Sequence, residues 1–449
     1  MAQPKEGREA AQHEDSVLVA VIGSGIVGVS MAIGLTARGV RVALYERASN
    51  FHEIGAGIAF TGVARQCMAQ LSPDILESFM RVSSENQHAY DNYWDGYHHT
   101  DEDTFSDEDG LLFRFPNSNM AWRSCLRSNF LNELSRALPP GIINFGKELV
   151  SYEDRGIGDS VTLRFTDGST TVCDILIGCD GLNSCVRRQM FLGSQAREPR
   201  YTKKTSYRFL VPIKEARSAL GKSKAHNHCM HTGPGAHILS YPVAQQTLTN
   251  VVFFLSDDDR EPCASDRESI LKHFVSWRPE VRALLTHMPE APMMWRIYDT
   301  ADYPAPFYSR GSVTIAGDAA HASAPHHGAG AGFGMEDALS LATVVALAAG
   351  ENRDRRHYAL VTAIEAYNEV RYSRTQWLVR SSRETGDIYE WMYPSSGNDP
   401  LKIEAELTAR QQNIWHFDVG EMVESSRNAY CKRLEIRYDP LKAGSPQET

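Results

Sequence analysis

Residues 317–338, GDAAHASAPHHGAGAGFGMEDA, bring Asp318, His321, His326 and His327 next to a run of glycines and alanines. Two chemistries use such a stretch. A metal site needs imidazole and carboxylate ligands with fixed directions and partners that orient them. A ligand-hugging loop needs the reverse, tiny side chains that let backbone N–H groups approach a flat or phosphorylated molecule. The rest of the chain has to decide between them.

Two further stretches carry chemistry. VIGSGIVG (21–28) holds Gly23, Gly25 and Gly28 between an apolar run and a helical pattern. The first glycine permits a tight turn, the second lets backbone approach a pyrophosphate, and the third lets helix and strand pack closely. The helix N-terminus then stabilises phosphate charge. Glu46 ends the next apolar run, at the distance expected of a carboxylate that binds a ribose hydroxyl pair. Arg47 follows it. Glu46 would repel a 2′-phosphate, so Arg47 reads as an exposed charge or a neighbour of the pyrophosphate. CDGLNSCVR (179–187) sets Asp180, Gly181, Ser184 and Arg187 just past a buried strand, and Gly317–Asp318 likewise follow SVTIA (312–316).

The elements that must position these residues are legible. VLVAVI (17–22) reads as a buried parallel strand, 26–38 as a helix and VRVALYE (40–46) as a second strand, which makes a βαβ unit. Residues 161–181 read as a hairpin feeding a buried strand. SYRFLVPI, GAHILSYPV and LTNVVFFLS, within 206–255, predict a mostly antiparallel sheet. Helices are expected over 335–348 and 357–390. The fold class is therefore α/β, a Rossmann-like nucleotide-binding domain (17–80, 118–196 and 296–390) with an inserted antiparallel substrate domain (81–117 and 197–295). A C-terminal helical region and tail (391–449) follow, and 1–16 reads as a disordered tail.

The chain has 449 residues, 42% hydrophobic and 23% charged, with net charge −10. That balance argues against nucleic acid and anionic membranes as partners, since both select basic surfaces. The apolar run at 338–349 is too short to span a bilayer and reads as a buried helix. The helix around 366–384 mixes basic and aromatic residues and reads as a solvated, salt-bridged face. Eight cysteines, at 67, 125, 173, 179, 185, 229, 263 and 431, form no CxxC pair. Free thiols fit a reducing, cytoplasmic setting.

Taken in order, the three motifs resemble those of the group A flavin-dependent aromatic hydroxylases, such as salicylate hydroxylase and p-hydroxybenzoate hydroxylase. That family pairs an N-terminal GxGxxG and distal Glu with a DGxxSxxR segment and a GDAAH…P…GxG…EDA segment, here 23–46, 180–187 and 317–338. The resemblance spans roughly 17–390. It implies FAD as cofactor, with Asp318 on a ribityl hydroxyl and the backbone of 328–332, including Gly328, Ala329, Gly330 and Ala331, along the isoalloxazine edge. Gly57 is assigned to the same cofactor site. Arg123, in MAWRSCL, matches the arginine of the family's HRxxL segment, which reaches toward the FAD phosphates, although Trp122 and Cys125 depart from that segment. NADPH or NADH and O2 are implied as co-substrates, with the nicotinamide docking transiently and oxygen delivered by a C4a-hydroperoxyflavin. No metal is expected. The histidine-rich loop as the centre of a metal-dependent hydrolase is the alternative from another class.

On the substrate side, strand alternation puts Arg208 on a face with Ser206 and Leu210, and Tyr241 on a face with His237 and Leu239. A buried Arg in an apolar strand is costly without an anionic partner. A carboxylate across the sheet would satisfy it, and so would an anionic ligand. SYRFLVP and LSYPV also resemble segments of fungal monooxygenases that hydroxylate and dearomatise polyketide resorcinols in tropolone, sorbicillinoid and azaphilone pathways. This implies that Arg208 and Tyr241 hold a substrate phenolate over the flavin. His237, His326 and His327 are candidate substrate-facing residues, His327 also a catalytic one, though His326 and His327 equally fit a loop-shaping role. The expected substrate is a small phenol, with a simple salicylate-like hydroxylase as the alternative, in a monomer or homodimer.

Overall fold

The computed structural model describes residues 16–51, 57–88, 90–98, 109–116, 122–156, 159–257 and 266–438. The two expected tails and Cys263 lie outside these residues, apart from Ser16 at the edge of the first.

Along the chain, β1 (Leu18–Ile22) leads into α1 (Ile26–Thr36) and β2 (Arg41–Tyr45), as the apolar runs and glycines predict. Then come β3 (Gly57–Phe60), α2 (Gly62–Leu71), β4 (Tyr90–Asp95), β5 (Leu111–Pro116), β6 (Arg123–Leu126), α3 (Arg127–Ala137), β7 (Ile143–Asn144) and β8 (Ile175–Gly178). The long antiparallel strands follow: β9 (Arg200–Pro212), β10 (Cys229–Gly233), β11 (Ala236–Val243), β12 (Leu248–Ser256) and β13 (Met293–Asp299). The chain closes with β14 (Ser309–Arg310), β15 (Val313–Ile315), α4 (Gly330–Ala349), α5 (Arg353–Tyr389), α6 (Pro400–Trp415) and α7 (Val419–Tyr438).

Two sheets organise the molecule. The first has strand order β14–β15–β8–β1–β2–β7, with β1 parallel to β2 and β8, and β8 parallel to β15. Its apolar strands are buried on both faces, as parallel sheets require. All three glycine-bearing loops leave the C-terminal ends of adjacent strands β1, β8 and β15, where open α/β sheets bind ligands. The second sheet has order β13–β9–β12–β11–β10–β4–β5. Tyr207, Phe209 and Val211 of β9 pack into a core with Ile238, Phe253, Phe274 and Trp277. Alternation therefore turns Ser206 and Arg208 to the opposite face. Residues beyond 295 were expected to return wholly to the nucleotide-binding part, yet β13 is an edge strand of this second sheet.

α4 is long and apolar enough to cross a membrane, but 83% of its apolar window is buried in the protein, where it packs on α1 and α5. α5 is not the solvated helix expected of 366–384. Arg371, Thr375, Gln376, Ser381 and Ser382 are all buried. Arg371 tolerates burial because Glu336 and Asp337 neutralise it at 2.6 and 2.9 Å.

Candidate active site

A cavity of about 610 Å³ runs from the β1–α1 turn to the inner face of the second sheet. At the first end the chain folds tightly. Gly23 has φ +98°, and a Cβ there would lie 2.5 Å from the Cys179 carbonyl oxygen. A Cβ on Gly28 would run into the Gly23 carbonyl, so this glycine serves helix–strand packing. Gly25 keeps an open face, with the Arg127 guanidinium 3.7 Å from where its Cβ would be. Glu46 lines the cavity and accepts hydrogen bonds from Ser24 N–H and Oγ–H, both at 2.9 Å, which fix its carboxylate beside the turn. Arg47 lines the same end and is exposed.

The Asp180 carboxylate accepts from Ser184 Oγ at 2.5 Å and from the N–H groups of Cys185 and Val186. Asp318 opens a short helical turn and faces the cavity. Gly328, Gly330 and Ala331 line the cavity, whereas Ala329 turns into an aromatic core with Phe333 and Tyr389. The three loop histidines point at three different partners. His321 Nε2 meets Asp337 Oδ2 at 2.6 Å. His326 Nδ1 lies 3.3 Å from His237 Nε2. His327 Nε2 meets Ser381 Oγ at 2.9 Å and Thr385 Oγ1 at 3.1 Å. Among the described residues no group of three or more His, Cys, Asp or Glu side chains is placed to hold a metal ion.

The far end is lined by the second sheet and the C-terminal helices. Arg208 lies in register with Val252 and, through β12, with Leu239. Tyr241 is in register with Asn250 one row along. Burial lowers the Arg208 pKa, with the neighbouring Tyr241 opposing it, yet a guanidinium stays cationic at neutral pH. Burial raises the Tyr241 pKa and outweighs the pull of Arg208, so its hydroxyl stays protonated. Tyr93, Trp122, Met230, Tyr389, Ile414 and Trp415 make the remaining wall largely aromatic and apolar.

Residues 16–382 match a family model described as an FAD binding domain. An FAD-dependent monooxygenase of Stachybotrys chartarum, SAT7, is 52% identical over 437 residues, which cover 93% of this chain and 92% of that protein. The chain belongs to the FAD-dependent aromatic hydroxylases. It is also 41% identical over 464 residues to salicylate hydroxylase asL1 of Sarocladium schorii, covering 97% of this chain and 94% of that one. A solved salicylate hydroxylase substrate complex superposes with a TM-score of 0.78 at 30% identity, covering 92% of this chain and 98% of that chain. The metal-hydrolase alternative falls with this membership and with the diverging histidines.

The residues present fit FAD. The turn at Gly23–Gly25 leaves backbone open to a pyrophosphate, Glu46 offers a carboxylate to a ribose, and Asp318 sits where the strand-to-loop turn meets the cavity. Two expectations for this hydroxylase are corrected. Arg123 does not line the cavity, because its Nε donates to Ser83 Oγ at 2.9 Å and its Nη1 pairs with Glu85. Arg127, four residues later at the start of α3, is the arginine of this segment that lines the cavity. His237 is sealed one layer behind the wall, stacked on Phe254 with centroids 4.4 Å apart and bonded to Glu390 at 3.0 Å. His327 touches the cavity, but its Nε2 is tied to α5. Gly57, assigned to the cofactor, meets the substrate side as well, since a Cβ there would lie 2.6 Å from Tyr241 Oη.

Sequence reasoning missed Arg127, His228, Tyr93 and Tyr389, and Gln411, Ile414 and Trp415 of α6, all of which line the cavity. Only Arg127 left a local signal, as a second arginine four residues after Arg123. The others arrive through strand pairing or helix docking, which no short motif encodes.

Proposed function

We propose that this hydroxylase adds one oxygen atom from O2 to a phenolic, resorcinol-type polyketide, with oxidative dearomatisation, using NADPH or NADH as reductant. The observation that carries this reading is the state of Arg208. Its Nε is buried without a partner, its guanidinium lies 5.0 Å from the Trp295 ring centroid, and it forms no ion pair with a carboxylate among the described residues. A cation whose Nε is buried without a partner is stabilised by an anionic ligand. A phenolate supplies one.

FAD, when bound and reduced, supplies activated oxygen for electrophilic transfer. The chain's residues prepare the acceptor. Arg208 and the Tyr241 hydroxyl donate to the substrate oxygen, lower its pKa and so raise the electron density of the ring. Two donors on adjacent rows of a rigid sheet also fix which ring carbon faces the flavin. If that carbon bears an alkyl group, aromaticity is not restored and a hydroxylated dienone results. The Gly328–Ala331 turn, whose Gly328, Gly330 and Ala331 line the cavity, would hold the flavin edge where negative charge develops. Tyr93, Trp122, Tyr389 and Trp415 exclude water from the reaction.

The likeness to salicylate hydroxylase in sequence and fold favours a second reading, decarboxylative hydroxylation of a salicylate-like phenol. Product analysis separates the two, since that product is aromatic and CO2 is released. Arg208→Ala is expected to retain FAD and lose substrate-stimulated turnover by about 10–100-fold, the worth of a charge-assisted hydrogen bond of about 1.5–3 kcal/mol. Full turnover in this variant would contradict the assignment.

A further inference from the structure

A polar row crosses the cavity face of the second sheet. Cys229 of β10 pairs with Asn92 of β4 and with Ser240 of β11, so the preceding His228 lies between Asp91 and Tyr241. Asn92 N–H donates to the His228 carbonyl at 3.2 Å, which holds this register. The row reads Asp91, His228, Tyr241, Asn250 across four strands.

His228 lines the cavity and its side chain is 14% exposed. Its ring lies near-parallel to those of Trp122 and Tyr241, with centroids 6.4 and 6.1 Å away. Nδ1 is buried without a hydrogen bond and points at Asp91 Oδ1, 3.9 Å away. Nε2 has no hydrogen-bond partner among the described residues. Asp91 is fully buried and oriented by Asn86, whose Nδ2 donates to Oδ1 at 3.0 Å.

The reaction proposed above leaves one proton without an acceptor. Arg208 and Tyr241 are both donors and neither takes the phenol proton. Of the other cavity-lining imidazoles, His326 spends Nδ1 on His237 and packs Nε2 against Gly386, and His327 spends Nε2 on α5. The charged and titratable groups facing His228 are Asp91 from β4, Tyr241 from β11 and, a row further, Arg208 from β9.

Resting on the phenol reading, we infer that His228 is the general base of this site and that Asp91 orients it and balances its charge. The substrate O–H bond breaks, its electron pair stays on oxygen, and the proton forms an N–H bond at Nε2. The phenolate then sits against Arg208 and Tyr241 while the imidazolium faces the Asp91 carboxylate. Burial lowers the His228 pKa and Asp91 works against that shift, so the ring is neutral at neutral pH and able to accept.

The test uses FAD-loaded full-length protein, wild type and His228→Gln, with 2,4-dihydroxy-3-methylbenzaldehyde as probe. Flavin content and flavin circular dichroism establish that the variant is folded. Binding is followed one pH unit below the probe's own pKa in water, reading the phenolate absorbance and the protons released to an indicator dye. Wild type is expected to bind phenolate while releasing no proton. His228→Gln is expected to bind the neutral phenol or to release a proton for each phenolate bound. Its turnover falls about tenfold for each pH unit below the probe's own pKa and recovers once the probe ionises in solution. An unchanged spectrum, proton count and pH profile in His228→Gln, with wild type active, would overturn the inference alone. Wild type that neither binds nor oxidises the probe would overturn the phenol reading and this inference with it.

Discussion

Arg187 donates from Nη1 to the Ala320 carbonyl at 2.9 Å, across 133 residues of chain. The same nitrogen reaches the Ala319 carbonyl at 3.1 Å, and Nε reaches Ala196 O at 2.8 Å. The arginine of the second motif thus holds the turn that carries Asp318 of the third. One motif supplies the donor and the other presents the carbonyls. Burial lowers the Arg187 pKa to about 10, which leaves it charged at neutral pH.

Arg187→Ala would leave buried carbonyls unpartnered, at about 1–3 kcal/mol for each group. We expect a loss of about 3 kcal/mol or more in denaturant unfolding and purified protein with reduced flavin content. Wild-type stability with full flavin would refute the tie.

Arg127 and Arg123 separate cleanly. Arg127→Ala is expected to weaken FAD binding about 10–100-fold, the effect of losing a charged donor. Arg123→Ala removes a contact to Ser83 and Glu85 outside the cavity and should leave the FAD dissociation constant within about twofold. Flavin fluorescence titration of the two apoproteins measures both. The reverse ranking would restore the assignment drawn from the sequence.

Asp337 predicts an acid-sensitive core. Burial pushes its carboxyl up, but the charges of His321 and Arg371 and the hydrogen bond from His321 outweigh burial and hold it below the usual carboxylate range. Its folded pKa therefore lies below the unfolded value of about 3.9. The stabilisation is complete above about pH 5 and is lost as pH falls through the unfolded and then the folded pKa. Asp337→Asn, which leaves Arg371 and His321 short of a buried anion, should cost about 3–5 kcal/mol at neutral pH and flatten the loss of stability below pH 5. Urea unfolding across that range reads both effects.

Ile414 of α6 closes the apolar end of the cavity. Ile414→Ala should shift preference toward phenols with longer alkyl substituents. Each added methylene that fills the space contributes about 0.8 kcal/mol, roughly fourfold in kcat/KM. A series of probes differing only in alkyl length would reveal it, and an unchanged preference would place the substituent elsewhere.

What the sequence disclosed follows from range. The turn at Gly23–Gly28, the carboxylate of Glu46 and the loop at Gly328–Ala331 depend on residues a few positions apart, so spacing alone displays them. The alternation that gives Arg208 and Tyr241 a common sheet face is also local. The Asp91–His228 contact depends on β4 pairing in parallel with β10, more than a hundred residues later, and no periodicity marks that pairing. The wall supplied by Ile414 and Trp415 depends on α6 docking against Phe115 and Tyr93. Arg123 misled because its spacing suits the family segment, whereas β6 turns its side chain toward Ser83.

The most direct test of the central claim is NADPH oxidation by the FAD-loaded protein, with and without 2,4-dihydroxy-3-methylbenzaldehyde, with the product characterised by mass and NMR. Stimulated oxidation, with a product one oxygen heavier and no longer aromatic, is the predicted result. No stimulation by this probe, or a product that keeps its aromatic ring, would contradict the account of Arg208 and Tyr241 as the holders of a resorcinol phenolate.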